Sequence, residues 1–119
     1  MNLFKKLQER AAAGNPIRIG MIGAGKFGTM FLAQALRIPA IHIVGVVDLI
    51  PANAKSNMKL AGWSDEAHSA VSLNDAAISS KTYVGDDWQA MITHPAVDIV
   101  IEATGNPLAA VTHCLAAFA

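Results

Sequence analysis

Three glycines and one acid carry the chemistry that can be read from this chain. Gly23-Ala24-Gly25-Lys26-Phe27-Gly28 closes the apolar run Ile17–Ile22, and Asp48 ends a second apolar run twenty positions after the last glycine. Gly-x-Gly-x-x-Gly alone is common. Set between a strand and a helix, with an acid ending the next strand, it is far more specific and reads as a dinucleotide-binding βαβ unit. Each glycine has its own task. Gly23 allows the tight turn out of the strand, Gly25 lets a pyrophosphate approach the backbone, and Gly28 lets the helix pack closely on the sheet. Main-chain N–H groups at the helix start, at the positive end of its dipole, would hold the phosphates. The plainer reading is an ordinary glycine-rich turn.

Asp48 is placed to accept hydrogen bonds from the adenosine ribose hydroxyls. A carboxylate there repels a 2′-phosphate, which favours NAD over NADP. Leu49 and Ile50 offer no cation to offset this, and Lys55 is the nearest one. The competing role for Asp48 is a helix-capping or solvated strand-end acid. Ala103-Thr104-Gly105-Asn106-Pro107 follows another apolar run, where ligands of open α/β sheets bind. Asn106 and the backbone around Gly105 would then face the cofactor's ribose or nicotinamide end; the plainer reading, with which this can coexist, makes Asn106 a cap and Pro107 a first helical residue.

The elements that must position these residues follow from periodicity. Leu3, Leu7 and Ala11 mark a short amphipathic helix ending near Gly14, and Asn15-Pro16 leads into the first strand. A helix follows from about Gly25 to Arg37, with Phe27, Met30, Phe31 and Ala35 on one side. Ile41–Val47 is the second strand, and Pro51 opens a helix that Gly62 ends. Trp63–Val71 shows no readable pattern. Ser72-Leu-Asn-Asp75 resembles a capping box and starts a helix to about Ser79. Thr82–Val84 is a third strand, Asp86 or Asp87 caps a helix that Pro95 closes, and Val97–Glu102 is the fourth strand. A last helix starts at Pro107.

Strands alternating with helices predict an α/β fold, a Rossmann-type doubly wound parallel sheet of order 3-2-1-4 that stops after the fourth strand. The expected domain is 1–119, an N-terminal fragment of a longer oxidoreductase, because the apolar fourth strand would be left as an edge. The chain is 53% hydrophobic and 15% charged, as buried parallel strands require. Nine basic and nine acidic residues cancel, so no basic face for nucleic acid is built. No uncharged apolar stretch approaches the roughly 20 residues of a membrane helix, and no signal peptide is evident. With the single cysteine, Cys114, this predicts a cytoplasmic protein.

His42, His68, His94 and His113 lack metal-ligand spacing, so no metal site is expected. Cys114 reads as a small core residue, and Trp63 and Trp88 as packing anchors. Glu102 would either orient the cofactor or serve structure. No Ser-His-Asp or Cys-His constellation can be argued, and the catalytic residues are unknown.

Ile-Gly-Met-Ile-Gly-Ala-Gly-Lys-Phe-Gly28, Val-Val-Asp48 and Glu-Ala-Thr-Gly-Asn-Pro107 together resemble the NAD(P)-binding N-terminal domain of homoserine dehydrogenase-like oxidoreductases. The closest resemblance is to the subgroup with a C-terminal SAF domain, which includes the deoxyxylulose phosphate reductoisomerase-like enzymes of some bacteria. The resemblance implies cofactor contacts at Gly23, Ala24, Gly25, Lys26, Phe27, Gly28, Asp48, Thr104, Gly105 and Asn106. It implies a small-molecule substrate, a homo-oligomeric full-length protein, and catalytic residues beyond residue 119. Reductoisomerase-like members are associated with NADPH, whereas Asp48 argues for NAD. The expected function is hydride transfer by an NAD(P)-dependent oxidoreductase, with this chain inactive alone. The alternative is a non-catalytic NAD(H)-sensing module, which needs the same phosphate cradle.

Overall fold

Elements form where these patterns place them. The computed structural model describes residues 3–104, 111, 113 and 115–117. In chain order they are α1 (Leu3–Ala12), β1 (Ile17–Ile22), α2 (Lys26–Ala35), β2 (Ile41–Val47), α3 (Pro51–Leu60), α4 (Leu73–Ser79), β3 (Tyr83–Gly85), α5 (Trp88–Thr93) and β4 (Ile99–Glu102). A 3₁₀ turn, Glu66–His68, lies between α3 and α4, and residues 111, 113 and 115–117 are helical. The predicted start of that last helix, at Asn106 and Pro107, lies outside the described residues, as does Cys114.

The strands pair in parallel in the order β3-β2-β1-β4, as expected. Two apolar clusters sandwich the sheet. Leu32 and Ala35 of α2 and Ala54 and Met58 of α3 pack with Ile19, Met21 and Val46 on one face. Leu73 and Ala76 of α4 and Met91 of α5 pack with Ile22, Val44 and Val47 on the other. Trp63 anchors the first cluster, and its indole Nε1 donates to Leu32 O at 3.0 Å.

The register of β1 against β2 shifts between Ile19 and Gly20, because Val44 is an extra residue in β2. This bulge sets Gly20 opposite Gly45. Met91 fills the space above both glycines: Cβ atoms built on them would lie 3.0 Å and 3.1 Å from its sulfur.

The inward face of α2 bears out Phe31 and Ala35, which pack into the first cluster, and corrects Met30. Met30 is 63% exposed, whereas Leu32 is completely buried. The helix phase is set by Gly28, which must face the sheet, so residues 28, 32 and 35 point inward with Phe31 packed beside them. Bulk had suggested otherwise. The side chain of Phe27 lies outside the described residues.

The capping signals are realised locally. Ser72 Oγ accepts from Asp75 N at 3.0 Å, while Asp75 Oδ2 accepts from Val71 N at 3.0 Å. Asp87, not Asp86, caps α5, accepting from Ala90 N at 3.0 Å. Among the described residues, no helix is long and apolar enough to cross a membrane.

Candidate functional site

The loop from β1 to α2 is shaped by glycines with distinct physical constraints. Gly23 has φ +92°, and a Cβ there would lie 2.8 Å from the backbone of Thr104. It is therefore wedged between β1 and the segment after β4, with its N–H donating to Val47 O at 2.7 Å. A Cβ at Gly28 would lie 2.8 Å from Gly23 O and 3.0 Å from Met21 Cε, so α2 can approach the sheet only without a side chain there. Gly25 differs. Nothing lies within 4 Å of its built Cβ, and its φ of −77° is open to any residue. Neither packing nor backbone conformation demands a glycine at that position.

Gly25 is the N-cap of α2 and, having no side chain, makes no side-chain cap bond. A helix start leaves its first N–H groups without intrahelical acceptors. Here they adjoin a cleft of about 190 Å³ lined by Gly23, Gly25, Asp48 and Leu49, with Asp86, Trp88 and Thr104. The cleft lies at the carboxyl ends of the strands, beside the point where strand order reverses between β1 and β4.

Asp48 ties this loop together. Its Oδ2 accepts from Ala24 N at 3.0 Å and its Oδ1 from Ile50 N at 3.1 Å. The Ala24 carbonyl, on the other side of the loop, accepts from Asn57 Nδ2 at 2.7 Å and from Thr29 Oγ1 at 3.2 Å. Neither Asp48 bond is a helix cap, since Ile50 is the N-cap of α3 and no side chain caps there; Asp48 instead ties its own turn to the glycine loop. A carboxylate has about four lone-pair sites, so two backbone bonds leave acceptor capacity facing the cleft.

At the opposite wall, Thr104 N donates to Glu102 Oε1 at 2.7 Å. Burial opposes charge on Glu102, but the Thr104 hydrogen bonds and His113 outweigh it and hold the carboxyl below the usual glutamate range. Glu102 Oε2 pairs with His113 Nδ1. The His113 ring lies 4.4 Å from that of Trp88, tilted by 60°.

The structure thus brings Gly23, Gly25, Asp48 and Thr104 to one cleft, with Ala24 and Gly28 as its supports. Lys26 and Phe27 open α2, and their side chains lie outside the described residues, as do Gly105 and Asn106 entirely. The sequence does not mark Asn57, Thr29 or Asp86 as site residues and offers Trp88 only as a packing anchor. Asp86 and Trp88 follow β3 directly, so parallel topology alone would have put them on the same rim. Asn57 and Thr29 carry no such signal, since their role is to hold a carbonyl distant in sequence. No group of three His, Cys, Asp or Glu that could hold a metal occurs among the described residues.

A family described as "Oxidoreductase family, NAD-binding Rossmann fold", GFO/IDH/MocA, matches residues 17–118. The chain belongs to this family. The match takes in both motif regions, the glycine loop with Asp48 and the segment after β4. A solved structure, that of an NAD binding oxidoreductase from Klebsiella pneumoniae, has the same fold. It superposes with a TM-score of 0.56 at 23% identity, over 86% of this chain and 24% of that one. This chain therefore spans about a quarter of that protein's length. No curated protein matches in sequence.

Proposed function

We propose that this chain is the cofactor-binding part of an NAD-dependent oxidoreductase that moves hydride between nicotinamide and a carbonyl or alcohol carbon of a small metabolite. The observation that carries the reading is Gly25: a glycine that neither packing nor φ requires, at a helix start whose N-cap has no side chain, facing the cleft. A ligand's approach supplies the missing reason for it. The cofactor, when bound, supplies the hydride.

The chain's own residues supply binding and orientation. Amides at the start of α2 receive the diphosphate, helped by the helix dipole. Asp48 accepts from ribose hydroxyls while keeping Ala24 in place. Thr104 and Trp88 bound the cleft on its far side. Asp48 and Asp86 both line the cleft, with no cation among its described lining residues, and Leu49 beside them is 94% exposed. Two carboxylates disfavour a 2′-phosphate, so NAD is the cofactor read here rather than NADP. The homoserine dehydrogenase-like assignment within the oxidoreductases rests on the resemblance carried jointly by the glycine loop to Gly28, Val-Val-Asp48 and Glu102–Pro107, and on this reading the substrate contacts lie outside these residues.

Calorimetric titration of the chain with NAD, NADH, NADP and NADPH tests this. The non-phosphorylated pair is expected to bind more tightly. Preference for NADP or NADPH would overturn the reading of Asp48, and no binding of any of the four would overturn the cofactor site.

A further inference from the structure

One pair of titratable side chains stands outside the phosphate cradle yet touches two walls of the cleft. Glu102, at the end of β4, is 13% exposed in its side chain, and His113 is 10% exposed. Burying a carboxylate and an imidazole is costly unless both are satisfied. Glu102 spends one oxygen on the amide of Thr104 and the other on His113 Nδ1. An ionised carboxylate only accepts, so the proton in that contact sits on His113. The other face of the arrangement is aromatic, with His113 against Trp88 of α5. Thr104 and Trp88 both line the cleft that holds Gly25 and Asp48.

We infer that Glu102 and His113 are positioning residues for the cofactor, a clasp that joins β4 to α5 and sets the spacing between Thr104 and Trp88. The inference rests on the cofactor reading above and adds to it two residues that do not line the cleft. Asp98 is, among the described residues, the other titratable group in the hollow that His113 and Glu102 line. Asp98 is engaged elsewhere: Arg18 N donates to it at 2.9 Å, and Arg10 lies 3.9 Å away. The partner of His113 is therefore Glu102. Loss of either clasp residue frees Thr104 and Trp88 to move independently, so a ligand must pay the cost of ordering them.

The test is NADH affinity of the full chain together with the amide and indole resonances of Thr104 and Trp88. Glu102→Ala and His113→Ala are each expected to weaken NADH binding about tenfold and to shift both resonances. Glu102→Gln is expected to restore binding to within about twofold, since its amide can accept from Thr104 and donate to the other His113 tautomer. His42→Ala is the comparator. It removes a histidine bonded to Lys81 O at the opposite end of the sheet, and should lower stability while leaving affinity and both resonances unchanged. If Glu102→Ala fails to fold, His113→Phe carries the test, because it keeps a ring beside Trp88 and removes the hydrogen bond. Unchanged affinity in the His113 variants, with the parent binding NADH, would overturn the clasp. A parent that binds no NADH overturns the cofactor reading itself, whatever the resonances do.

Discussion

At the residue scale, the three fingerprint glycines divide into two kinds. Gly23 and Gly28 are required by the fold, because any side chain would meet backbone at 2.8 Å. Gly23→Ala and Gly28→Ala should each cost about 1–3 kcal/mol, read from urea unfolding, with the larger loss at Gly23, where φ is also positive. Gly25→Val should behave differently. Its side chain enters open space in the free protein, so the unfolding midpoint should stay close to the parent's while NADH binding disappears from the titration. A Gly25→Val chain that binds as well as the parent would show that the phosphate site lies elsewhere. The sequence motif already gives each glycine its own task; the surroundings of each Cα show that packing holds Gly23 and Gly28 but leaves Gly25 open.

At the element scale, the bulge at Val44 and the cross-strand pair Gly20–Gly45 make a depression that Met91 fills. Met91→Ala should destabilise by about 2–5 kcal/mol, since a completely buried side chain leaves a cavity. Gly20→Ala places a methyl group 3.0 Å from the Met91 sulfur, its nearest neighbour, so the double variant should lose less than the sum of the two single losses in chemical unfolding. Ser72→Ala removes the cap of α4 and should cost about 1 kcal/mol, measured in the same way. The cap was legible from Ser72 and Asp75 because capping is local in sequence. The bulge was not, because nothing in Ile41–Val47 itself says which strand it will face or in what register.

At the scale of the whole molecule, ligand and proton both couple to folding. NADH that binds only the folded chain should add about 2.7 kcal/mol at a hundred times its Kd, seen as a rise in Tm with ligand concentration. Two groups give stability the same pH dependence. Burial holds the pKa of His42 below the usual histidine value; the Lys81 carbonyl opposes this and Arg18 adds to it. Glu102 is lowered because its hydrogen bonds outweigh burial. For a lowered folded pKa, the unfolded chain takes up the proton first. The stabilisation is thus present above the unfolded value and lost as pH falls through the folded one. Tm should fall on acidification in two steps, first below the ordinary histidine range and then below the ordinary glutamate range. His42→Ala should flatten the first step and Glu102→Gln the second.

What the sequence determined by itself was everything carried by short-range pattern: the element order, the parallel 3-2-1-4 sheet, the glycine loop and the acid at the end of β2. Periodicity, capping and the crossover rule act between near neighbours or constrain topology as a whole. Tertiary structure decided the rest. It turned Met30 outward and Leu32 inward because Gly28 had to meet the sheet. It gave Asp48 the amide of Ala24, set Asn57 on the other side of the same loop, and joined Glu102 to His113 beneath Trp88. These contacts depend on distances between segments, and such distances exist only once the layers have packed.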